Sequence, residues 1–276
     1  MTETIYSAHS PLLTPRRFLG EIKADMRIVY HVGWQLFVRN LKVQVRQNLL
    51  GYVWMVLPPL VTGLVWMYLG QAKVLKGLTS SVPYPVFVLT GLFLWQGFVE
   101  ALNCPLQQLQ QARSTISKVR VPHEAFIVAG LGAVLFNSTV RMLILLIVLI
   151  GFQMPWHATM LLAPLGLAVL VIFGLGLGYL LAPVGLLYAD IANALPVVIN
   201  LWFLITPIVY SPPASMASII AWNPVTPLLT TTRDWLLMGA VQPSTGFTLV
   251  ALGSCLLLLT SWLLYRLAKP HLIVRL

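Results

Sequence analysis

Three basic side chains stand at the edge of an uncharged run. In RNLKVQVRQNLLGYVWMVLPPL, residues 39–60, Arg39, Lys42 and Arg46 fall at i, i+3 and i+7. On a helix they form one positive stripe. Guanidinium and ammonium groups make charge-assisted hydrogen bonds to phosphate oxygens. A stripe that ends where the apolar residues begin suits an anionic headgroup layer, where each Lys or Arg contributes about 1 kcal/mol. Three further polar groups sit inside otherwise apolar runs. Asn137 and Arg141 lie at i and i+4, on one helix face, and Glu100 lies on an earlier segment. An amide and a guanidinium on one face either line a polar cavity or hold neighbouring helices together by hydrogen bonds. Glu100 either pairs with Arg141 or faces such a cavity.

Other chemistry is hard to find. The chain has no GxxxxGK[ST] phosphate loop, so it does not bind ATP by that means, and no HExxH. The run GLGLG, with Gly174, Gly176 and Gly178, lies inside an apolar stretch and lacks the strand that a nucleotide fingerprint requires. Close helix packing through small residues is the expected use. His9, His31, His123, His157 and His271 are scattered, with no ligand spacing among them. Cys104 and Cys255 lie in or beside apolar runs and suggest neither a disulfide framework nor a metal site. Seven Asp and Glu residues, without a pair at useful spacing, argue against a membrane-embedded glycosyl or phosphoryl transferase.

The elements that must position these groups follow from composition. Of 276 residues, 58% are hydrophobic and only 9% charged, against about 25% charged in soluble domains. Such a chain cannot cover its own apolar surface with polar groups, so lipid must be part of its solvent. Six segments reach or approach the roughly 20 apolar residues of a spanning helix: 49–70, 84–106, 126–151, 159–182, 192–211 and 246–265. Residues 1–48 contain no apolar core of a signal peptide. Within them, Phe18, Ile22, Met26, Val29 and Phe37 recur at helical spacing with charges between them. That pattern predicts an amphipathic helix over 16–37, lying on the membrane or against a partner, or a solvated helix of no special role. Segment 212–245 is too broken to span and too apolar for an ordinary loop. It is read as two short re-entrant half-helices around the turn NPVTP, because irregular backbone at membrane depth must be covered by protein or water. The expected architecture is therefore an all-α polytopic membrane protein: a segment 1–48 with an amphipathic interfacial helix, a six-helix transmembrane region 49–265 with re-entrant half-helices between spans five and six, and a tail 266–276. Of 17 Lys and Arg, thirteen fall on the side of the termini and three on the other, with Arg141 within a span. The positive-inside rule then places both termini in the cytoplasm. The net charge of +10 is in this light a topology signal and not a nucleic-acid footprint.

In order along the chain, these motifs resemble the ABC-2-type permeases of polysaccharide export. The opening of the first span matches at Arg39, Leu41, Lys42, Arg46, Leu50, Gly51, Trp54 and Pro58. VPYPVFVLTGLFLWQGF resembles the start of the second span, with Tyr84, Pro85, Gly91 and Trp95. ISKVRVPHEAF resembles a cytoplasmic turn, with Ile116, Lys118, Val119 and Pro122. Asp190, Pro196, Pro207 and Tyr210 match a further segment, and Asn223, Pro224, Arg233, Leu236 and Gly239 match the re-entrant element. Two positions depart from the pattern. Ala189 stands where a basic residue usually precedes the Asp, and His123 stands where Arg often follows the Pro.

The resemblance implies a non-catalytic transmembrane subunit that dimerises and docks two copies of a separate ATP-binding subunit, with ATP and Mg bound there and no cofactor on this chain. The implied cargo is a glycan on an undecaprenyl-pyrophosphate or other lipid anchor, crossing the bacterial inner membrane. The long amphipathic N-terminal segment is closer to the O-antigen type, with capsular polysaccharide, teichoic acid or another lipid cargo as alternatives. On this reading Arg39, Lys42 and Arg46 contact the lipid pyrophosphate or ordinary headgroups. The loop from Gln111 to Glu124, with Arg113, Ser114, Ile116, Lys118, Arg120, Pro122 and His123, is the expected coupling element to the ATPase. Trp54, Trp66, Tyr68, Trp95, Trp202 and Tyr210 either line the glycan path or form an interfacial aromatic belt.

Overall fold

In the computed structural model, residues 15–47, 53–71, 82–116, 122–210, 220, 222–239 and 242–275 are described. Within these, the side chains of 15–25, 44–47, 54–56, 59, 67, 69–71, 114–116 and 269–275 are outside the description. The described residues form helices and no strand. We number the α-helices α1 (Pro15–Gln47), α2 (Val53–Gln71), α3 (Tyr84–Ile116), α4 (His123–Gly151), α5 (Ala163–Leu187), α6 (Ala189–Ile205), α7 (Val225–Leu237) and α8 (Thr245–Arg275). A 3₁₀ turn, Ala158–Leu162, leads into α5.

Among the described residues, four stretches are long and apolar enough to cross a membrane: Tyr84–Arg113, His123–Gly151, Ala158–Leu187 and Thr245–Ala268. The chain is thus an all-helical, multi-pass membrane protein. Its outer surface agrees, with Leu143, Ile147 and Ile150 of α4 and Leu249, Leu252, Leu256 and Leu259 of α8 all exposed. In water such faces would be unstable; against lipid tails they are not. The shorter helices α2 and α6 overlap the segments expected as the first and fifth spans.

The bundle is organised around α3 and α5, which share its most extensive contact. Helix α4 packs on α3, α8 on α5, α2 on α3, and α1 lies along α4. The GLGLG run explains the α3–α5 contact. A Cβ added at Gly174 would lie 2.6 Å from the Phe98 carbonyl oxygen, and one at Gly178 would lie 2.5 Å from that of Leu102. The two backbones touch because these side chains are absent. Gly174→Val and Gly178→Val are each expected to cost about 1–3 kcal/mol or more by overpacking. A lowered apparent melting temperature in detergent would show it, and a melting temperature equal to the parent's would contradict the close approach.

Several boundaries differ from the sequence expectation. Helix α3 continues ten residues past 106, through Pro105. Residues expected to open a loop, among them Arg113, Ser114 and Ile116, are therefore its last turn. Helix α6 stops at Ile205, earlier than 211. Pro207 has no N–H and disfavours helical backbone at Thr206 before it. Helix α8 runs on through the residues read as a tail. The amphipathic segment and the basic stripe form one helix, α1. Its Val29 and Gly33 are buried. A Cβ on Gly33 would meet Val128 at 2.7 Å, and one on Gly132 of α4 would meet Phe37 at 2.9 Å. The N-terminal helix thus docks on a neighbour within the chain, while Met26, Tyr30 and Trp34 remain exposed. Of the two expected half-helices, α7 is described and residues 211–219 lie outside the description.

Candidate functional site: polar centres in an apolar bundle

Glu100, Asn137 and Arg141 come together across the α3–α4 contact. Arg141 Nη2 donates to Glu100 Oε1 in a short ion pair. Asn137 Nδ2 donates to the other carboxylate oxygen at 3.2 Å. The i, i+4 spacing in α4 places both donors on the face that α3 covers. Arg141 is 2% exposed, while the Glu100 side chain is 26% exposed. The charges therefore neutralise each other where α3 remains accessible.

A second polar centre fixes the junction between α6 and α7. Asn223 Oδ1 accepts from the Trp202 indole N–H at 2.9 Å and from the Val225 amide at 3.1 Å. Its Nδ2 donates to Thr206 Oγ1 at 2.9 Å. One side chain therefore starts α7 through an Asx turn and ties it to the end of α6. Pro224 follows at the helix N-cap. Arg233, buried on α7, donates to the Pro207 carbonyl and lies 4.0 Å from the centroid of the Phe87 ring. Pro207 leaves that carbonyl outside any helix, and the guanidinium satisfies it. Gly239, at φ +67°, closes α7 in the left-handed region that favours glycine, with the His157 ring packed against it.

A third centre was not anticipated from the sequence. Glu124, in the first turn of α4, pairs with Arg266 near the end of α8, at 3.1 Å, with both side chains buried. The Arg266 guanidinium lies 4.8 Å from the Trp262 ring. Tyr265 and Tyr179 are also buried here, in edge-to-face contact at 5.6 Å. A signal was available: in a chain with seven acidic residues, each acid next to a span needs a cation, and Arg266 borders the last span.

The remaining expected residues are placed as follows. Arg39 and Lys42 are exposed on α1, and with Trp34, Gln35 and Val38 they line a shallow recess. Arg46 lies on the same helix with its side chain outside the description. Arg113 is exposed, Pro122 is half-buried, and His123 and Glu124 are buried; Lys118 and Arg120 lie outside the described residues, as do the side chains of Ser114 and Ile116. The aromatics divide. Trp95 is 3% exposed, in a cluster with Phe98 at 5.2 Å, Phe203 at 5.9 Å and Trp202 at 6.4 Å. Trp66 is half-buried against Phe203. Tyr68 is 76% exposed. The Tyr210 hydroxyl lies 3.1 Å from the carbonyls of Leu204 and Ile205 at the end of α6. Trp54 lies on α2 with its side chain outside the description.

No family model matches the chain. Curated relatives do. The O-antigen export system permease protein RfbA of Myxococcus xanthus is 25% identical over 202 residues, covering 71% of this chain and 76% of that protein. A protein of the same name from Klebsiella pneumoniae is 24% identical over 232 residues, covering 79% and 87%. The polysialic acid transport protein KpsM of Escherichia coli is 23% identical over 235 residues, covering 84% and 91%. Over most of its length, this all-helical membrane chain is similar to the permease proteins of ABC-2-type polysaccharide exporters.

Proposed function

We propose that the chain is the transmembrane subunit of an ATP-driven exporter that moves a lipid-linked polysaccharide of the O-antigen type across the bacterial inner membrane. The observation that carries this reading is the similarity to O-antigen export permeases along most of both chains. The chain crosses the membrane six times, with α2 and α6 joining the four longer spans. At 1.5 Å per residue α2 is about 28 Å long and α6 about 26 Å, close to the hydrocarbon thickness of about 30 Å. Both termini are cytoplasmic, as the Lys and Arg distribution favours. Two copies assemble with two ATP-binding subunits, which hold ATP and Mg and perform the hydrolysis; this chain itself binds no cofactor.

In this arrangement the end of α3 and the start of α4 face the ATPase. The buried Glu124–Arg266 pair would carry a displacement there into α8, since two packed helices joined by an ion pair move together more readily than apart. The recess beside Trp34, Arg39 and Lys42 offers two cations next to an aromatic ring, at the level where a lipid pyrophosphate meets the inner headgroups. Arg39→Glu with Lys42→Glu is expected to lower polymer export at least tenfold with unchanged membrane insertion. Export equal to the parent's would remove pyrophosphate recruitment and leave the stripe as a lipid anchor.

The similarity to KpsM supports a second reading, a capsular polymer as cargo on the same machinery. Both are tested by ATP hydrolysis in lipid nanodiscs. The chain would be co-expressed with the ATPase encoded beside its gene and assayed with and without an undecaprenyl-pyrophosphate-linked glycan. Stable co-purification and glycan-stimulated turnover support the exporter. Co-purification without stimulation reopens the cargo, and lack of any ATPase partner overturns the transporter.

A further inference from the structure

The uncovered face of α3 has the wrong chemistry for lipid. From Val86 to Arg113 the helix is buried at most positions, and of those that are not buried only Val99 is apolar. The others include Gln96, Glu100, Asn103, Gln107, Gln110 and Gln111, spaced so that they share one helix face within about 50° of its midline at 100° per residue. Gln96, Glu100 and Asn103 are half-buried, and Gln107, Gln110 and Gln111 are exposed. Helices α4 and α8 of the same bundle expose leucine and isoleucine instead. Gln96, Glu100 and Asn103 fall within the span expected over 84–106 and are not stable against hydrocarbon, so this face borders water or a polar partner there; Gln107, Gln110 and Gln111 continue it beyond that span.

The stripe is recessed. On one side α4 leans over it through Asn137 and Arg141, which hold Glu100. On the other, Gln110 Nε2 reaches the Gly185 carbonyl of α5 at 3.5 Å. Asn103 Nδ2 turns back onto the Val99 carbonyl at 2.9 Å, which leaves its side-chain oxygen available. A groove bounded by two helices admits a thin flexible chain better than the flat face of another helix. It runs from Gln96 to Gln111, about 23 Å, which is too long for a single-ion site. Arg141 neutralises the one carboxylate, so the track has no net charge. Five amides that both donate and accept are the complement of hydroxyl groups.

We propose that this polar face of α3 is the path along which the hydroxyl-rich polymer enters the membrane from the α3–α4 end of the bundle. The assignment deepens the exporter reading and rests on it. It places polymer contact on amide side chains, whereas Trp95 stays in the packed core.

The test uses the full chain with its ATPase subunit, in a background with Cys104→Ala and Cys255→Ser. Single cysteines replace Gln96, Asn103 and Gln107 on the track, and Leu252 and Leu256 on the lipid face of α8 as controls. A membrane-impermeant, charged methanethiosulfonate reagent applied to proteoliposomes open on the ATPase side should modify the three track positions at least tenfold faster than the two controls. In cells, Asn103→Trp and Gln107→Trp should each lower surface polymer at least tenfold with the ATPase subunit still co-purifying, while Leu252→Trp leaves export unchanged. Unmodified track cysteines, or disulfides between copies through them on mild oxidation, would overturn the path and make this face a packing or dimer surface. Modified cysteines with normal export from the tryptophan variants would overturn polymer contact. A parent complex that exports no polysaccharide, yet is modified on the track, would refute the exporter reading itself and assign the groove to a different hydrophilic cargo.

Discussion

Glu100→Leu is expected to destabilise the bundle by about 3–5 kcal/mol, the typical cost of leaving one member of a buried ion pair without its partner. Arg141→Leu should cost less. The asymmetry follows from chemistry. A carboxyl group left alone in an apolar setting can shed its charge by taking up a proton, whereas a guanidinium keeps its charge throughout the accessible pH range. Arg141 is also the more deeply buried partner, so it has no route to water short of helix separation. The double variant, Glu100→Leu with Arg141→Leu, should lie closer to the parent than Glu100→Leu does, since neither charge is then orphaned. Asn137 would lose its acceptor in two of the three variants, which adds about 1–3 kcal/mol to each if no water replaces it. Apparent melting temperatures in detergent by fluorescence-detected chromatography give the order. A double variant as damaged as Glu100→Leu would show that the pair contributes by packing and not by charge.

Reversing the Glu124–Arg266 pair is the second large expected effect. Arg266→Leu leaves a buried carboxylate in the first turn of α4 and removes the ring contact with Trp262; about 3–5 kcal/mol is again the scale. Glu124→Arg alone should be at least as damaging, because two guanidinium groups then share one buried site. Glu124→Arg with Arg266→Glu restores opposite charges across the same gap and should recover part of the loss. The recovery is incomplete because an arginine in the first turn of α4 opposes the helix dipole that Glu124 complements. If the pair also transmits motion from the ATPase, the swapped protein should fold yet turn over ATP with reduced polymer export. Full recovery of stability together with export equal to the parent's would confine the pair to a structural role.

Much of the architecture was legible along the chain, for a physical reason. Partitioning into lipid is close to additive over about 20 residues, so a local hydropathy pattern places helices without knowledge of their neighbours. Each of the six apolar segments overlaps a described helix, although the fifth runs on to 211 where the helix ends at Ile205. Local chemistry also located the turn at Asn223–Pro224, because proline and asparagine act on the backbone beside them; the expected fifth span instead ran through Pro207 to 211, past the stop that this proline imposes after Ile205. Less visible were helix ends in polar sequence. Helix α3 continues past Pro105 and through QQLQQARSTI, where Leu109 and Ala112 are buried and Gln110 reaches the Gly185 carbonyl of α5, and composition alone reads such a stretch as loop.

What the sequence by itself determined is the solvent, the secondary structure and the identity of the few polar groups that lipid cannot accept. The i, i+4 spacing of Asn137 and Arg141 even fixed which face of α4 they share. Only the tertiary structure decided their partners. Glu100 and Arg141 are 41 residues apart, and Glu124 and Arg266 are 142 residues apart, 266 − 124. Tertiary structure also separated aromatics of similar sequence context. Trp95 is enclosed by Phe98, Trp202 and Phe203, whereas Tyr68 stays exposed. In a helix every residue has the same local environment whichever way it points. Whether it meets lipid, water or another side chain is set by which helices pack beside it, and that depends on glycines such as Gly174 and Gly178 that let two distant backbones touch.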